Sequence, residues 1–589
     1  MVDTLDKKWL KSYVIILVLL LTGCSRAERD ENGLLSAASS LVIKDYIAEQ
    51  NKNKLPVNLK SKFGTDLKGL KLLGVKLINE NLSGVDLSFC EISRVDFSGS
   101  NFEGAIFTES VLQESDFSGS KMSNVSAYDS DFQASVFEGT MFQDGNFIQS
   151  NFEETDFINS SIERTNFDGS SFVRSTFDSS KMLQAHFQKC NLGESSFKNA
   201  TIIKSIFYGS DLRQILANGT KISDSYCESV DLTGADLTGT IIDNSDFTHG
   251  IINKAQLKNV KLTAVSFSFA SFQMVSFSNA SIVNCNFNMA YFNNAQLNEM
   301  TIQKSDFSDT HFNNSNLKDL VISDSTSTSA KFNKVRMVGI TIQSSNFEKV
   351  LLDNNYISNS IFIDSNMESS EFMNSSFTDC QFNKINFSKA HMQNIYLNDD
   401  KFIDTIFNQI SIINADQKSV SLDNSPIYNS QLNNVAYTDY RFINSDFHRN
   451  IMLNVTGLTN VKLDGTIYST KDMEKIQDLS NMNFRGLNLS DLSFQKVNFS
   501  GAILKSANLS NTVFDNCILY NTDLTTSDLS NASFIRSVLT GSNLELAKVY
   551  KTNFDYADLN NVNFVKSFVN NISLVKAKLN GTKGLSNNQ

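Results

Sequence analysis

Proline is nearly missing from this 589-residue chain, which contains only Pro56 and Pro426. Multidomain chains run near ~5% Pro and place it in linkers and turns. Its scarcity therefore speaks against the three or four globular domains that length alone suggests at roughly 150 residues each. Tryptophan occurs once, as Trp9, and histidine five times. Seven cysteines are too few for a disulfide framework at this length. Lys and Arg number 51 against 63 Asp and Glu, the net charge is −12 and the pI about 5.1. No basic run appears, which speaks against non-specific phosphate binding, and no nucleic-acid partner is expected. Phenylalanine, in contrast, occurs 46 times, too often for a disordered chain.

Those phenylalanines follow a register. From Leu67 an apolar residue recurs at every fifth position: Leu72, Leu77, Leu82, Leu87, Ile92, Phe97, Phe102, Phe107, and on to Met452. Among about 78 such centres only Ser327 and Gln417 are polar, and Ala127, Ala217 and Cys227 are undersized. A second column, two residues before each centre, is mostly small, as in Ser100, Ala105, Ser110 and Ser115. Asp or Asn often precedes the centre, as in Asp96-Phe97 and Asn101-Phe102. Neither the helical period of 3.6 nor the strand period of 2 keeps a five-residue column in register, so the chain turns every five residues. Four such turns close a square coil whose centres and small residues point inward.

This pattern resembles the pentapeptide-repeat family, with its Ala-(Asp or Asn)-Leu-X-X consensus; residues 235–239 (ADLTG) and 507–511 (ANLSN) match it position for position. The resemblance covers residues 67–579 and implies an all-β fold, a right-handed quadrilateral β-helix. Successive coils would stack about 4.8 Å apart through backbone hydrogen bonds, which Pro cannot donate. Residues twenty apart become vertical neighbours, so Phe97, Phe117, Phe137, Phe157, Phe177 and Phe197 form a core ladder of offset-stacked rings.

The register breaks once. After Met452 the centres drift, and residues 469–479 read as a short helix capped by Ser469 with Asp472. A new phase then runs through Phe484, Leu489, Phe494 and Phe499 to Leu579. Residues 34–50 have helical apolar spacing and are expected to cap the first coil, as solenoid ends need covering. The expected divisions are a signal peptide at 1–23, a tether at 24–33, a helical cap at 34–66, a first β-helix at 67–454, an interruption at 455–480, a second β-helix at 481–580 and a polar tail at 581–589. The first stack is expected to span roughly 90 Å, and the second to add about 24 Å. A partner or a second copy is expected to cover the C-terminal coils, giving a possible homodimer.

At the N-terminus, Lys7, Lys8 and Lys11 precede an apolar stretch, residues 13–21, too short for a permanent bilayer span. The stretch ends in Leu21-Thr22-Gly23-Cys24, which resembles the lipobox of bacterial lipoproteins. That resemblance implies cleavage between Gly23 and Cys24, lipidation of Cys24, and attachment to the cell-envelope membrane. Ser25 resembles the residue that permits sorting to the outer membrane where a host has two membranes.

Chemistry is not evident. Cys90, Cys190, Cys285, Cys380 and Cys517 fall in the small column and Cys227 at a centre, so they read as buried small hydrophobes. His186, His249, His311, His391 and His448 flank centres at wide spacings and read as surface residues. With no phosphate-binding Gly loop, no His-Glu-x-x-His and no Gly-x-Ser-x-Gly, no catalytic residue, metal site or cofactor is expected. The leading expectation is a noncatalytic, lipid-anchored envelope scaffold that binds another envelope protein or polymer. Residues from 479 onward carry +3, whereas the first segment with its tether carries −16. An acidic rod also suits the alternative of a DNA-mimicking modulator of a type II topoisomerase, which the export signal disfavours.

Overall fold

A computed structural model of the chain describes residues 28–585, apart from Asn460, Lys462 and the side chain of Asp464. The chain divides into two compact units, Met1–Thr301 and Ile302–Gln589. Each is a parallel β-helix.

In the first unit, strands three residues long pair in parallel with a shift of twenty. Lys71 meets Glu91, Met141 meets Ser161, and Thr201 meets Lys221. Shorter bridges complete the other sides with the same shift, such as Lys76 with Asp96 and Asp86 with Ile106. The centres are buried: Phe102, Phe107, Phe132 and Phe167 expose nothing. Two residues past each centre the backbone enters the left-handed region, as at Asn79 (φ 55°), Arg94 (φ 56°) and Glu109 (φ 55°). Such a conformation costs a non-glycine residue about 1–2 kcal/mol. It is held by bonds to the next coil, for example Arg94 N donating to Gln113 O at 3.1 Å. The Asp or Asn before a centre closes the turn: the Ser118 N–H donates to Asp116 Oδ1 at 2.8 Å.

The small inward column has a second task besides fitting. Ser110 Oγ accepts the N–H of Cys90 at 3.1 Å and donates to Leu87 O at 2.6 Å. Ser150 repeats the pattern, accepting from Ser130 N and donating to Ala127 O. Each hydroxyl pairs a backbone amide of the coil below that would otherwise be buried without a partner. Serine outnumbers alanine in this column for that reason.

The start of the first unit is covered. Helix α1 (Ala37–Lys52), N-capped by Ser36, buries Ile43 and Ile47. Ser40 Oγ accepts Lys71 N at 3.2 Å, and Asn51 Nδ2 donates to Lys76 O at 2.8 Å. A second helix, α2 (Leu59–Phe63), follows, and Glu80 accepts the N–H groups of Asn58 at 3.0 Å and Leu59 at 2.6 Å. The expected tether is shorter than 24–33. Residues 28–35 fold back on themselves, with Ser36 N donating to Glu28 O, Leu35 N to Lys68 O, and Arg29 paired with Asp66 at 3.1 Å.

The second unit has coils of the same kind, with His311 on Lys331, Tyr356 on Ser376 and Gln431 on Ile451. The expected break at residue 455 is too early. Thr456 still pairs with Ala436, and Phe447 pairs with Leu463 and Ile451 with Ile467 at a shift of sixteen, a coil four residues short. Within the expected helix at 469–479 the structure has only a 3-10 helix, Thr470–Lys475, capped by Ser469. Short connecting turns of this kind commonly take the tighter 3-10 form. Coils of the new phase then run from the Asp478–Asn498 bridge to Asn563–Lys583, taking in Lys583 from the expected tail.

The new coils do not simply prolong the preceding stack; their first turns lie against its side. Asn483 Nδ2 donates to Gln409 O at 2.6 Å, Asn483 N to Asn429 O at 3.0 Å, and Gln409 Nε2 to Gly501 O at 2.9 Å.

Candidate functional site

Stacked aromatic columns hold the interior, leaving function to the outward faces and ends. In the first unit, Phe97, Phe117, Phe137, Phe157, Phe177 and Phe197 stack with centroid spacings of 4.7–5.2 Å and interplanar angles of 7–16°. Phe132, Phe152 and Phe172 form a parallel column at 5.0 Å. The undersized Ala217 and Cys227 open a cavity of about 40 Å³ lined by Phe197, Phe207, Leu232 and Phe247.

Cys90, Cys190, Cys227, Cys285, Cys380 and Cys517 are free and buried. Burial pushes the thiols of Cys90, Cys190 and Cys380 up to about 12, with the neighbouring Asp400 adding to the effect at Cys380. Thiols held this high carry almost no thiolate at neutral pH. Among the described residues no group of three or more His, Cys, Asp or Glu is placed to hold a metal ion.

Sequence inspection missed Asp400. It occupies the inward column with no exposed surface, its Oδ1 accepting Cys380 N at 2.8 Å and its Oδ2 Asn398 N at 3.0 Å. Burial raises its carboxyl to about 7, against the lowering effect of those two backbone donors. Counting fives to residue 400 would have found it.

Contrary to expectation, the histidines are not all at the surface. His391 is 4% exposed, with Nε2 3.2 Å from Gln393 Oε1 and Nδ1 without a partner. His391, Ser411, Gln431 and Ile451 are successive residues of one outward column, and all four are buried. Beside them, Arg485 and Lys505 of the new-phase coils reach Glu371 Oε1 at 2.8 and 3.2 Å. Burial drives the His391 imidazole down to about 4, assisted by the Arg485 charge. At Glu371 burial acts to raise the carboxyl, but Arg485 and Lys505 outweigh it and hold the group below the ordinary carboxylate range. This column is an internal docking surface. Nothing in a five-residue register shows that a distant stretch of chain will cover it.

Gly23 and Cys24, the expected cleavage and lipidation positions, lie outside the described residues. Among those described, no helix is long and apolar enough to cross a membrane.

Two family models match the chain. The "pentapeptide repeat region" model covers residues 150–227 and 477–544, and "pentapeptide repeats (8 copies)" covers 63–99, 90–126, 218–248, 225–263, 261–299 and 527–564. No curated protein matches. Among solved structures, similarity extends to HetL, a pentapeptide repeat protein involved in heterocyst differentiation regulation from Nostoc sp. strain PCC 7120. The identity is 15%, over 39% of this chain and 90% of that one, with a TM-score of 0.21. QnrB1, a plasmid-mediated fluoroquinolone resistance protein, is 14% identical over 43% of this chain and 93% of its own, TM-score 0.14. A pentapeptide repeat protein of the Arabidopsis thaliana thylakoid lumen is 25% identical over 21% and 67%, TM-score 0.11. With five-residue sides, a twenty-residue coil and family matches that together cover about half of the chain, this chain belongs to the pentapeptide-repeat family.

Proposed function

We propose that this pentapeptide-repeat scaffold is a noncatalytic, lipid-anchored protein of a bacterial cell envelope, whose outward columns bind another envelope protein or polymer. The observation that carries the reading is the sequence order of a Lys-rich start, a short apolar stretch and Leu21-Thr22-Gly23-Cys24. Acyl chains on Cys24, at ~0.8 kcal/mol per buried methylene, would hold the solenoid durably on a membrane. Solenoids present long regular faces suited to extended partners. Replacing Cys24 with Ala is expected to leave the precursor unprocessed or move the protein out of the membrane fraction; unchanged processing and retention would refute the anchor. Cross-linking in intact cells, followed by identification of the attached molecules, tests the scaffold role.

The acidic charge of −16 outside the signal and the second set of coils favours a second reading, modulation of a type II topoisomerase by DNA mimicry. A DNA-supercoiling assay with gyrase decides it, and no effect at micromolar protein removes it.

A further inference from the structure

The cap at the start of the first unit has two ends. Helix α1 has 16 residues, so it reaches about 24 Å across the coil at 1.5 Å per residue. Glu28 lies at its N-terminal end, accepting from Ser36 N and Ser39 Oγ, and Cys24 precedes Glu28 by four residues in the sequence.

At the other end the chain reads KNKLPVNLKSK over residues 52–62, with four lysines and no acid, in a protein of net charge −12. The lysines are spaced singly and do not stand out as a run. Lys52, Lys54 and Lys62 are exposed, and half-buried Lys60 donates its Nζ to Ser83 O at 2.5 Å and Ser83 Oγ at 3.0 Å. None of the four is paired with a carboxylate among the described residues, unlike Lys68, Lys71 and Lys76 on the adjoining coils, which meet Asp86, Glu91 and Asp96.

Between them Leu55 stands 54% exposed, followed by exposed Pro56. The loop is held in place. Lys54 and Asn58 both take left-handed backbone (φ 56° and 53°), Leu55 N donates to Gln50 O at 3.0 Å, Tyr46 Oη donates to Val57 O, and Glu80 secures Asn58. Non-glycine residues keep such a conformation only where their surroundings enforce it. Leu55 is thereby presented to solvent on a fixed loop, between Lys52 and Lys54 before it and Lys60 and Lys62 after it in the chain. Asp45 and Glu49 are the exposed acids of α1, and both precede the loop.

We propose that the 52–62 loop is a membrane-contact surface: its lysines bind an anionic lipid headgroup layer and Leu55 inserts at the acyl boundary. A basic, partly apolar surface of this kind is attracted to anionic lipid and not to a neutral one. The proposal deepens the lipid-anchor reading, because an acyl chain at Glu28's end of α1 and a basic contact at the other would hold the cap at two points. The lysines would add an electrostatic signal to the hydrophobic hold of the acyl chains.

The test is flotation of the chain from Ser25 onward, which keeps every described residue and lacks the lipid, with vesicles. Vesicles of phosphatidylethanolamine and phosphatidylglycerol should carry the protein up, and phosphatidylcholine vesicles should not. Replacing Lys52, Lys54, Lys60 and Lys62 together with Gln should reduce binding to the anionic vesicles at least tenfold, and Leu55→Asp should reduce it severalfold, with unchanged circular dichroism. Equal flotation with both vesicle types, or full binding by the quadruple variant, would overturn the proposal. So would complete competition by millimolar inorganic phosphate at constant ionic strength, which would mark a small-anion site. Because this protein carries no lipid, a failed Cys24→Ala experiment leaves the result standing, and a failed flotation leaves the lipidation reading intact.

Discussion

Asp400 puts a carboxylate where the repeat elsewhere sets a serine hydroxyl. Its folded pKa, about 7, lies above the ordinary value of 3.8, so the folded state disfavours the ionised form. Stability is fully retained below pH 3.8, falls as pH rises from there through 7, and levels off above. Asn355 and Asn450 already fill the same column, Asn355 accepting Val335 N and donating to Phe332 O. Asp400→Asn removes the buried charge but leaves the Asn398 N–H facing an amide Nδ2 that cannot accept it, so it should be more favourable at pH 8 than at pH 4 by on the order of 4 kcal/mol. Urea denaturation at the two pH values measures it, and an equal effect at both would disprove the account. The void beside Ala217 permits a converse substitution: Ala217→Val should add about 1 kcal/mol in the same assay by filling space that now lacks contacts. Both residues sat in plain view of the five-residue register, which gives their position but not the consequence of departing from it. The left-handed turns at residues such as Arg94 were less legible, since the side chain there is free to vary while bonds to the next coil hold the backbone.

Among the elements, the cap and the docked coils respond to different probes. Glu80 closes the N-terminus of α2 by accepting two backbone N–H groups. Glu80→Ala would leave both without a partner and cost about 1–3 kcal/mol, read as faster amide exchange confined to residues 53–63. Exchange unchanged there would show that Glu80 does not hold the cap. His391 governs the side-by-side packing of the coils. Its folded pKa of about 4 lies below the ordinary 6.5, so the neutral ring is favoured when docked. Docking is at full strength above pH 6.5 and weakens as pH falls from 6.5 toward 4. Between pH 7 and 5 this removes about 2 kcal/mol, and His391→Gln should abolish that share of the pH dependence. The capping helix was expected from apolar spacing over residues 34–50, but its face was not legible: Ser39, Ser40, Ile43 and Ile47 are buried while Leu41 is 49% exposed, because the first coil offers backbone groups that serine can meet. The docked face was invisible: its Glu, His, Ser and Gln read as ordinary solvent-facing residues, and only long-range folding buries them.

Across the whole molecule, cysteines are distributed as natural reporters. Cys90, Cys190, Cys227 and Cys285 lie in the first unit, Cys380 and Cys517 in the second, and all are buried. In a solenoid each coil touches only its neighbours, so stability is approximately a sum of local terms. Native protein should resist a maleimide reagent for hours at pH 7.5. In rising urea the six sites should label in groups that follow coil position, read by peptide mass spectrometry. Labelling of all six within minutes without denaturant would contradict the packing.

The cap has a further consequence. The first coil of a parallel β-helix ends in a row of backbone donors and acceptors spaced as in a cross-β fibril. Left bare, that row would template any extended strand, including another chain of the same kind. Helix α1, with Ser40 on Lys71 and Asn51 on Lys76, occupies it. The helix is therefore a chain terminator in the polymer sense: it stops this coil from seeding end-to-end growth.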